Sequence, residues 1–429
     1  MSSVTELKQF NKANQKSQYS DKVPQLRFPG FDNEWQLKKV GALTERISNP
    51  VDVQDDELYH QIGIRSHGKG IFYKEAVTGK SLGNKRVFWI KENAFIVNIV
   101  FAWEQAVAKT TEKEIGMIAS HRFPMYLPVD NQSNLDYLLH FFLTRKGKSL
   151  LELASPGGAG RNKTLGQKEF ENLKFLVPNA TEQTKIAAFL TSIDYKINQI
   201  KQKKTLLEEY KKGVMQKIFS QELKFKDESG KEFPKWDKKK LGILGETYNG
   251  LTGKTKENFG IGKPYIQYKQ IFDDSKIDIS RFELVEIKEN ENQNRVLFGD
   301  VFFTVSSETP NEIGTASVLL DEVGEVYLNS FCFGYRVYSL KVLSPFFSKH
   351  LFRSESFRND IVKLAQGSTR FNMSKIQLMK LEINLPCLAE QTKIANFLSV
   401  IDKKINHTQT QLKQTEQWKK GLLQKMFCA

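Results

Sequence analysis

Three short motifs contain residue types that could do chemistry on phosphates or on DNA bases. The first, GLTGKT from Gly250 to Thr255, resembles a phosphate-binding loop. Such a loop cradles phosphates with backbone N–H groups and requires a glycine separated by four residues from Gly253. Tyr248 occupies that position, so we interpret the stretch as an ordinary turn.

The other two motifs resemble parts of enzymes that act on DNA. Pro386-Cys387 resembles the nucleophile pair of cytosine methyltransferases, but Cys387 aligns with Asn179 in an internal repeat of the chain. Asp278 with Glu286-Ile287-Lys288 resembles a metal-dependent nuclease site, at a spacing that arises by chance when 26% of residues are charged. No Pro-Pro dipeptide exists, so the usual Asn/Asp-Pro-Pro-aromatic site of amino-methyltransferases is absent. The sequence therefore predicts neither a catalytic constellation nor a metal site.

Polar and glycine-rich loops offer side chains that can approach base edges and phosphates. Arginine can bind guanine bidentately, and asparagine or glutamine can do the same for adenine. A Gly-x-x-Arg sequence occurs twice, at 158–161 and 367–370. Each candidate taken singly could be an ordinary solvated residue, and the two arginines could cap a helix or contact phosphate without reading sequence. The predicted DNA-binding residues are Arg65, His67, Lys69, Arg161, Asn162, Gln267, Lys269, Ser307, Thr309, Asn311, Arg370 and Asn372.

A long repeated segment must position these loops. Residues 182–219 recur as 390–427 at a constant offset of 208, with no gap. Apolar residues in both copies alternate steps of three and four, which predicts a helix of about 60 Å with an a/d heptad seam. Lys204 and Lys211 interrupt the first seam, and Thr408, Thr415 and Lys419 interrupt the second. The predicted seam consists of Ile186, Leu190, Ile193, Ile197, Leu207, Val214, Ile394, Leu398, Ile401, Ile405, Leu412 and Leu422.

So long an amphipathic helix is not stable alone, and the nearest partner for each copy is the other. We favour an intramolecular antiparallel pair over the alternative in which each helix packs only on its own globular domain. The repeat also includes an opening segment, in which Phe28-Pro29 and Trp35 align with Phe233-Pro234 and Trp236. The globular regions between opening segment and helix diverge, which favours one architecture with two different recognition surfaces.

These observations predict an α+β fold with two mixed α/β domains in a pseudo-twofold arrangement, joined by two long antiparallel coiled-coil helices. Strands are predicted over 86–90, 94–100, 301–305, 316–320 and 333–338, and helices over 134–144 and 344–353. The predicted parts are a flexible arm over 1–24, a first domain over 25–180, a helix over 181–220, a linker and second domain over 221–388, and a helix over 389–429.

Composition limits the partners of the chain. The net charge of +15 favours a polyanion such as nucleic acid. Residues 181–220 hold eight lysines against four acidic residues, so part of that charge is a solvated helix face. Three widely separated cysteines indicate neither a disulfide framework nor a zinc site, which fits a reducing cytoplasm. No run of about 18 apolar residues predicts a membrane span.

The doubled motif Glu-Gln-x-x-Ile-Ala-x-Phe-Leu-x-x-Ile-Asp-x-Lys-Ile, at 182–197 and 390–405, resembles the specificity (S) subunit of type I restriction–modification systems. With the opening segments and the Gly-x-x-Arg stretches, the resemblance covers nearly the whole chain. It implies two target-recognition domains, each reading half of a bipartite double-stranded DNA target, and a helix pair that sets the spacing.

The same resemblance implies the partners of a non-catalytic, cytoplasmic host-defence subunit. Two methyltransferase (M) subunits would dock on the helices, and motor-nuclease (R) subunits would join through the M–S core. S-adenosylmethionine, ATP and Mg would belong to those partners, with no cofactor in this chain. Two rival interpretations are a coiled-coil scaffold without DNA recognition, which salt-dependent duplex binding would exclude, and a self-sufficient nuclease or methyltransferase, which the absent motifs disfavour.

Overall fold

The computed structural model describes residues 22–130, 132–157, 163–367 and 370–428. The chain divides into two compact units, and both division points fall inside long helices. The first unit comprises residues 1–201 and 410–429, and the second comprises residues 202–409. Among the described helices, none is long and apolar enough to cross a membrane.

The first unit combines short strands with short helices around one end of each long helix. Its described strands are β1 (Gln36–Lys39), β2 (Thr44–Ile47), β3 (Leu58–Tyr59), β4 (Ile62–Ile64), β5 (Ile71–Tyr73), β6 (Val77–Thr78), β7 (Val87–Trp89), β8 (Phe95–Val97), β9 (Val107–Lys109), β10 (Ile118–Ser120), β11 (Met125–Pro128) and β12 (Lys174–Val177). Its described helices are α1 (Val40–Leu43), α2 (Gly79–Leu82), α3 (Leu135–Phe142), α4 (Arg145–Leu153), α5 (Gln167–Asn172) and the first part of α6 (Ala180–Phe219).

The main sheet of the first unit has the antiparallel order β2-β11-β8-β9. Its central strand β8 is buried on both faces, which matches its unbroken apolar sequence. Helix α3 begins where the Asn134 side chain accepts hydrogen bonds from the N–H groups of Asp136 and Tyr137, a typical N-cap. Strands β1 and β12 pair separately, so the first and last strands of the globular body lie side by side.

The second unit repeats this plan with different details. Its described strands are β13 (Asp237–Lys240), β14 (Gly245–Asn249), β15 (Phe259–Ile266), β16 (Glu283–Val285), β17 (Val301–Thr304), β18 (Ser306–Ser307), β19 (Ala316–Val318), β20 (Tyr327–Leu328), β21 (Cys332–Val337), β22 (Phe371–Asn372) and β23 (Glu382–Leu385). Its described helices are α7 (Leu241–Leu244), α8 (Tyr268–Asp273), α9 (Pro345–Leu351), α10 (Glu355–Lys363), α11 (Lys375–Lys380) and part of α12 (Leu388–Lys425).

The main sheet of the second unit has the antiparallel order β14-β21-β17-β19, and β13 pairs with β23 as β1 does with β12. A second sheet, β16-β15-β20, has no counterpart of the same strand order among the described strands of the first unit. The strands predicted over 86–90, 94–100, 301–305 and 316–320 are confirmed with shorter bounds, as are the helices predicted over 134–144 and 344–353, and the strand predicted over 333–338 is confirmed one residue earlier, at 332–337.

Apolar side chains of the long helices enter the core of each unit. In the first unit, the α6 seam packs in one cluster with residues from the end of α12, and this cluster contains Ile186, Leu190, Ile193, Ile197, Ile200, Leu412 and Leu422. In the second unit, the corresponding cluster contains Val214, Ile218, Ile394, Leu398 and Ile401, with Ile405 packed against it. Leu207 is half-buried.

Two lysines that interrupt the apolar seams are paired with aspartates of the repeated motif. In the first unit, Lys419 Nζ contacts Asp194 Oδ1. In the second unit, Lys211 Nζ lies 2.6 Å from Asp402 Oδ1. Lys211 and Lys419 are related by the offset of 208, as are Asp194 and Asp402. The lysines therefore neutralise partly buried carboxylates on the seam.

The glutamine of the repeated motif attaches each long helix to its globular body. Gln183 is fully buried. Its Oε1 accepts from the N–H of Asn134 at 2.9 Å, and its Nε2 donates to the carbonyl oxygens of Gln132 and Pro178, both at 3.0 Å. One side chain thus joins the start of α6 to the N-terminal cap of α3.

Gln391 makes the same contacts in the second unit. Its Oε1 accepts from the N–H of Ser344 at 2.9 Å, and its Nε2 donates to the carbonyl oxygens of Val342 and Pro386. Because every polar atom of these buried amides has a partner, substitution by an apolar residue would leave backbone groups unsatisfied.

The opening segments differ from the predicted alignment. Phe28 packs edge-to-face on Phe189, with ring centroids 5.5 Å apart. The residue that makes this contact with Phe397, the repeat of Phe189, is Phe225 at 5.6 Å, so aligning Phe28 with Phe233 was wrong. A turn closed by hydrogen bonds between Asp227 and Lys231 lengthens the second segment and displaces its Phe-Pro pair.

Candidate nucleic-acid interface

In the second unit, two of the predicted loops are brought together by a short pair of strands. Strand β18 pairs with β22, so that Ser306 lies opposite Asn372 and Ser307 opposite Phe371. Asn372 also exchanges two backbone hydrogen bonds with Gln366, which directly precedes the Gly-x-x-Arg stretch in the sequence. Ser307 and Asn372 therefore lie one position apart on the same pair of strands, although they are 65 residues apart in the chain.

The remaining predicted residues of this unit surround that pair of strands. Arg370 and Thr309 are exposed, and the Thr309 N–H donates to Ser307 Oγ at 3.1 Å. Gln267 precedes α8, and Lys269 lies in its first turn, where it pairs with Asp273 at 3.5 Å.

Tyr268 connects α8 to the paired strands, and sequence reasoning did not single it out. Its hydroxyl donates to the carbonyl oxygen of Ser306 at 3.0 Å. Burial raises the pKa of Tyr268, and the nearby positive charge of Arg370 acts in the opposite direction. The ring also stacks on Phe272. Tyr268 therefore fixes the position of the α8 start beside the β18–β22 pair.

The loop that carries Asn311 is held from behind by an arginine of α10. The Arg358 guanidinium donates to the carbonyl oxygens of Asn311, Ile313 and Gly314, at 2.9, 2.6 and 2.7 Å. Gly314 has φ +58°, in the left-handed region that favours glycine. These contacts orient the loop and leave the Asn311 side chain exposed.

We predict that Arg358→Ala loosens this loop. Loss of three hydrogen bonds from a charged donor removes about 1.5–3 kcal/mol of local stabilisation, so amide hydrogen exchange across 309–315 should accelerate at least about tenfold. Lys363→Ala is the control, because Lys363 lies on the same helix and its exposed side chain pairs only with the neighbouring Asp360. Equal exchange in both variants and the wild type would show that the loop does not depend on Arg358.

In the first unit, the predicted residues Arg65, His67 and Lys69 lie at the tip of the β4–β5 hairpin and are exposed. The Arg65 guanidinium lies 5.0 Å from the centroid of the Phe72 ring, in cation–π geometry. His67 has φ +60°, an uncommon conformation for a residue other than glycine. The hairpin tip therefore presents three basic side chains in a fixed backbone conformation.

The hairpin tip docks on the segment 103–105. The His67 N–H donates to the Glu104 carbonyl at 2.7 Å, and Ser66 Oγ donates to the Glu104 carboxylate at 2.7 Å. Lys163, two residues after the first Gly-x-x-Arg stretch, lies with its Nζ 5.5 Å from the centroid of the Trp103 ring. Arg161 and Asn162 lie outside the described residues. Trp103 and Glu104 link the hairpin to the described flank of that stretch.

The motifs that resemble enzyme sites make structural contacts. The side chain of Lys254 in the GLTGKT stretch is almost fully buried and pairs with Glu291. The Asp278 carboxylate accepts hydrogen bonds from Ser280 in a local turn, and Glu286 accepts from the Asn258 side chain. Cys387 lies just before α12.

Comparison with known proteins gives a family match over most of the chain. The model of the type I restriction modification DNA specificity domain matches residues 33–209 and again 234–417. The type I restriction enzyme MjaVIII specificity subunit of Methanocaldococcus jannaschii is 23% identical over 422 residues, which is 93% of this chain and 92% of that protein. The putative MjaX specificity subunit of the same organism is 25% identical over 343 residues, 73% of this chain and 74% of that protein.

A solved structure has the same fold. The S subunit of a type I restriction–modification system from M. genitalium superposes with a TM-score of 0.56 at 13% identity, covering 94% of this chain and 99% of that one. The two matches to the family model coincide with the internal repeat, so each repeat carries one copy of the domain.

Proposed function

Because the chain belongs to the type I restriction–modification DNA specificity family, we propose that its two units read the two halves of a bipartite DNA target. The chain is a DNA sequence-specificity subunit, and it is not itself an enzyme. Residues 25–180 and 221–388 are the proposed target-recognition domains, and the proposed reading residues are those at the β4–β5 tip and around the β18–β22 pair, together with Arg161 and Asn162.

The observation that carries this proposal is the strand pair that brings Ser307, Arg370 and Asn372 into one region. Ser307 and Asn372 lie on the paired strands β18 and β22, Arg370 directly precedes β22, and Asn372 also exchanges backbone hydrogen bonds with Gln366 on its other side. A rigid display of Arg, Asn and Ser suits hydrogen bonding to base edges, where misplacement by about 1 Å loses discrimination. A net charge of +15 supplies attraction to phosphates.

The helices, 181–220 and 389–429, are proposed to form an antiparallel coiled coil that sets the spacing between half-sites. Two contacts in the first unit support the antiparallel direction, because Asp194 contacts Lys419 while Lys201, further along α6, contacts Glu416, earlier in α12. Exposed aromatic residues at equivalent positions of the two helices, Tyr210 and Trp418, suit docking of two methyltransferase subunits.

The cofactors and partners follow from the same assignment. S-adenosylmethionine is proposed to bind the methyltransferase subunits, and ATP and Mg²⁺ the motor-nuclease subunits that join through them. This chain would contribute DNA recognition and assembly in the cytoplasm. Charged and amide side chains in its loops would contact bases and phosphates, with no cofactor of its own.

Mapping the methylated adenines tests the proposal. We expect the complex of this chain with the methyltransferase subunits of its host to methylate one bipartite motif, read by direct sequencing of plasmid DNA. The double variant Arg370→Ala, Asn372→Ala should relax or abolish the sequence preference in the half-site that the second unit specifies. The sequence preference in the other half-site should be unchanged. Each lost phosphate contact would reduce the slope of log K against log salt by about one.

Lys341→Ala is the matched control, since it removes one positive charge from an exposed residue just beyond the far end of β21. It should leave the motif unchanged. An unchanged motif in the Arg370, Asn372 double variant, at wild-type methylation level, would contradict the assignment of this surface. Salt-insensitive duplex binding by the assembled complex would contradict DNA reading altogether.

A further inference from the structure

A large aromatic side chain is exposed beside the proposed reading surface of the second unit. Phe331 precedes β21, and the residue is 59% exposed to solvent. Its backbone is held in a tight turn, in which Asn329 Oδ1 accepts from the Phe331 N–H at 2.8 Å and the Asn329 carbonyl accepts from Cys332 at 3.1 Å. The Phe331 ring is therefore exposed on a turn whose backbone is fixed by hydrogen bonds to Asn329.

The turn also restricts the residue type at position 250, which packs against it. The backbone of Gly250 approaches Asn329 so closely that a Cβ at position 250 would lie 2.1 Å from the Asn329 carbonyl oxygen. The Gly250 N–H additionally donates to the Cys332 carbonyl. The GLTGKT stretch therefore serves here as a backbone support for the Phe331 turn, which explains why a glycine begins it.

Backbone hydrogen bonds place Phe331 two strand spacings away from Asn372. The Val305 N–H donates to the Phe331 carbonyl at 3.1 Å, and the Val305 carbonyl accepts from Met373 at 2.9 Å. Val305 directly precedes β18, and Met373 directly follows Asn372. The backbone segment that contains Val305 therefore lies between the segments that contain Phe331 and Asn372. Because adjacent strands are about 4.8 Å apart, the backbones of Phe331 and Asn372 are roughly 10 Å from each other.

The first unit has no aromatic residue at the equivalent position. There the Val97 N–H donates to the carbonyl of Pro124, which is buried. Val97 ends β8 and Val305 directly follows β17, and these strands hold the same place in the two main sheets, β2-β11-β8-β9 and β14-β21-β17-β19. The exposed ring is therefore a property of the second unit, and it belongs to the diverged recognition surface rather than to the shared frame.

We propose that Phe331 is a specificity-determining residue that inserts against the bases of the second half-site. The inference rests on the proposed function, and it adds an apolar contact to a surface otherwise described by hydrogen bonds. Apolar side chains on DNA-binding surfaces wedge between base steps and partially unstack them. An aromatic ring stacks on an exposed base face, which every base offers. Asn372 and Arg370 beside it supply hydrogen bonds to the edges of bases opened in this way.

Binding of a short duplex that contains the mapped target tests the inference. For the full complex with its methyltransferase subunits, Phe331→Ala should weaken binding by about 5- to 150-fold, the range expected for loss of one base–aromatic stacking contact. Phe331→Tyr should bind within about threefold of the wild type, because a tyrosine ring stacks equally well. Affinity for a duplex with the second half-site scrambled should be nearly equal in all three proteins.

Tyr338→Ala is the matched control. Tyr338 follows the other end of β21, and the residue is 66% exposed to solvent. The six residues of β21 separate Tyr338 from Phe331, which corresponds to a distance of about 20 Å along the strand. This variant should bind the target as the wild type does, and thermal unfolding of both alanine variants should match the wild type because both rings are exposed.

The outcomes separate the inference from the proposed function. Wild-type affinity of Phe331→Ala for the intact target would overturn the inference while the two half-sites remain necessary. Weakened assembly with the methyltransferase, at unchanged DNA preference, would also overturn it and assign Phe331 to a protein contact. If scrambling the second half-site does not weaken binding by the wild type, the proposed function fails, and the inference with it.

Discussion

Replacing Glu182 by alanine should lower the free energy of unfolding by about 3–5 kcal/mol, the cost of breaking a buried ion pair from one side. The Glu182 side chain is 1% exposed, and that of its partner Arg27 is 11% exposed. The guanidinium donates to both carboxylate oxygens, at 2.7 and 2.8 Å, and the Trp35 indole N–H donates at 3.3 Å. Removal of the carboxylate leaves a desolvated cation and an unpaired indole N–H.

The repeat supplies a matched control at Glu390. This carboxylate accepts from the Trp236 indole N–H at 3.0 Å, and burial raises its pKa, partly offset by that hydrogen bond and by the charge of Lys224. Glu390→Ala removes a hydrogen bond to a neutral donor, so we expect a loss of about 1–3 kcal/mol. Urea unfolding at pH 7 measures both variants. An equal loss at the two sites would show that the Arg27 pair contributes no net stability.

Acidification should destabilise the protein strongly below pH 6.5, because each unit buries one neutral histidine. Burial lowers the pKa of His140 and that of His350 to about 3, from an ordinary value of 6.5. Lys419 and Lys109 act in the same direction on His140, and Asp136 opposes them. Lys349 and Lys211 likewise lower the pKa of His350, and Asp402 opposes them.

The direction of the pH effect follows from proton binding. Between pH 6.5 and 3 the unfolded chain binds a proton at each of these residues and the folded chain does not, so stability decreases as the pH falls. The expected slope of the unfolding free energy against pH is about 1.4 kcal/mol per pH unit for each histidine. At pH 4.5, each histidine should therefore have lowered the unfolding free energy by about 2.7 kcal/mol.

Phenylalanine at these positions should remove the proton linkage. His140→Phe and His350→Phe should each reduce the slope of unfolding free energy against pH by one proton, as measured by urea unfolding between pH 7 and 4.5. Nδ1 of His140 and Nε2 of His350 have no hydrogen-bond partner among the described residues, and Nε2 of His140 makes only a long contact of 3.4 Å with Thr191 Oγ1, so stability at pH 7 should change little. His121→Gln, at an exposed site, is the control. A slope unchanged by the phenylalanine substitutions would show that both imidazoles protonate in the folded state.

The sequence was sufficient to predict those features that depend on local pattern. Heptad spacing within 182–219 led to the prediction of a helix over 181–220, and the structure has it from Ala180 to Phe219. Short apolar runs predicted strands such as β8 and β17, because each is buried on both faces. In all of these, the information lies within a few residues of the element itself.

Features that depend on distant partners could not be predicted. The Glu-Gln pair of the repeated motif was recognisable as a pattern, but its role depends on Trp35 and Asn134, which are 147 and 49 residues away from their partners. Lys211 and Lys419 were noted as breaks in an apolar seam, and only packing shows that each pairs with a motif aspartate.

The candidate site shows the same limit. Residue chemistry selected Ser307 and Asn372 separately, and the β18–β22 pairing that joins them leaves no periodic signal in two-residue strands. Tyr268 and Phe331 were not selected, because one aromatic residue in a loop is indistinguishable by sequence from a core residue. Their roles depend on exposure and on contacts across the sheet.

The pairing of the first and last strands of each globular body has an evolutionary consequence. Lys39 lies opposite Lys174 in β1–β12, and Lys240 lies opposite Glu382 in β13–β23. Everything between those partners is an insertion whose two ends are one strand separation apart, about 5 Å. A recombination event that exchanges the insertion can therefore change its length and sequence without moving the ends. Inheritance of a new specificity then requires homology only in the short flanking segments, while the helices and their partners stay as they were.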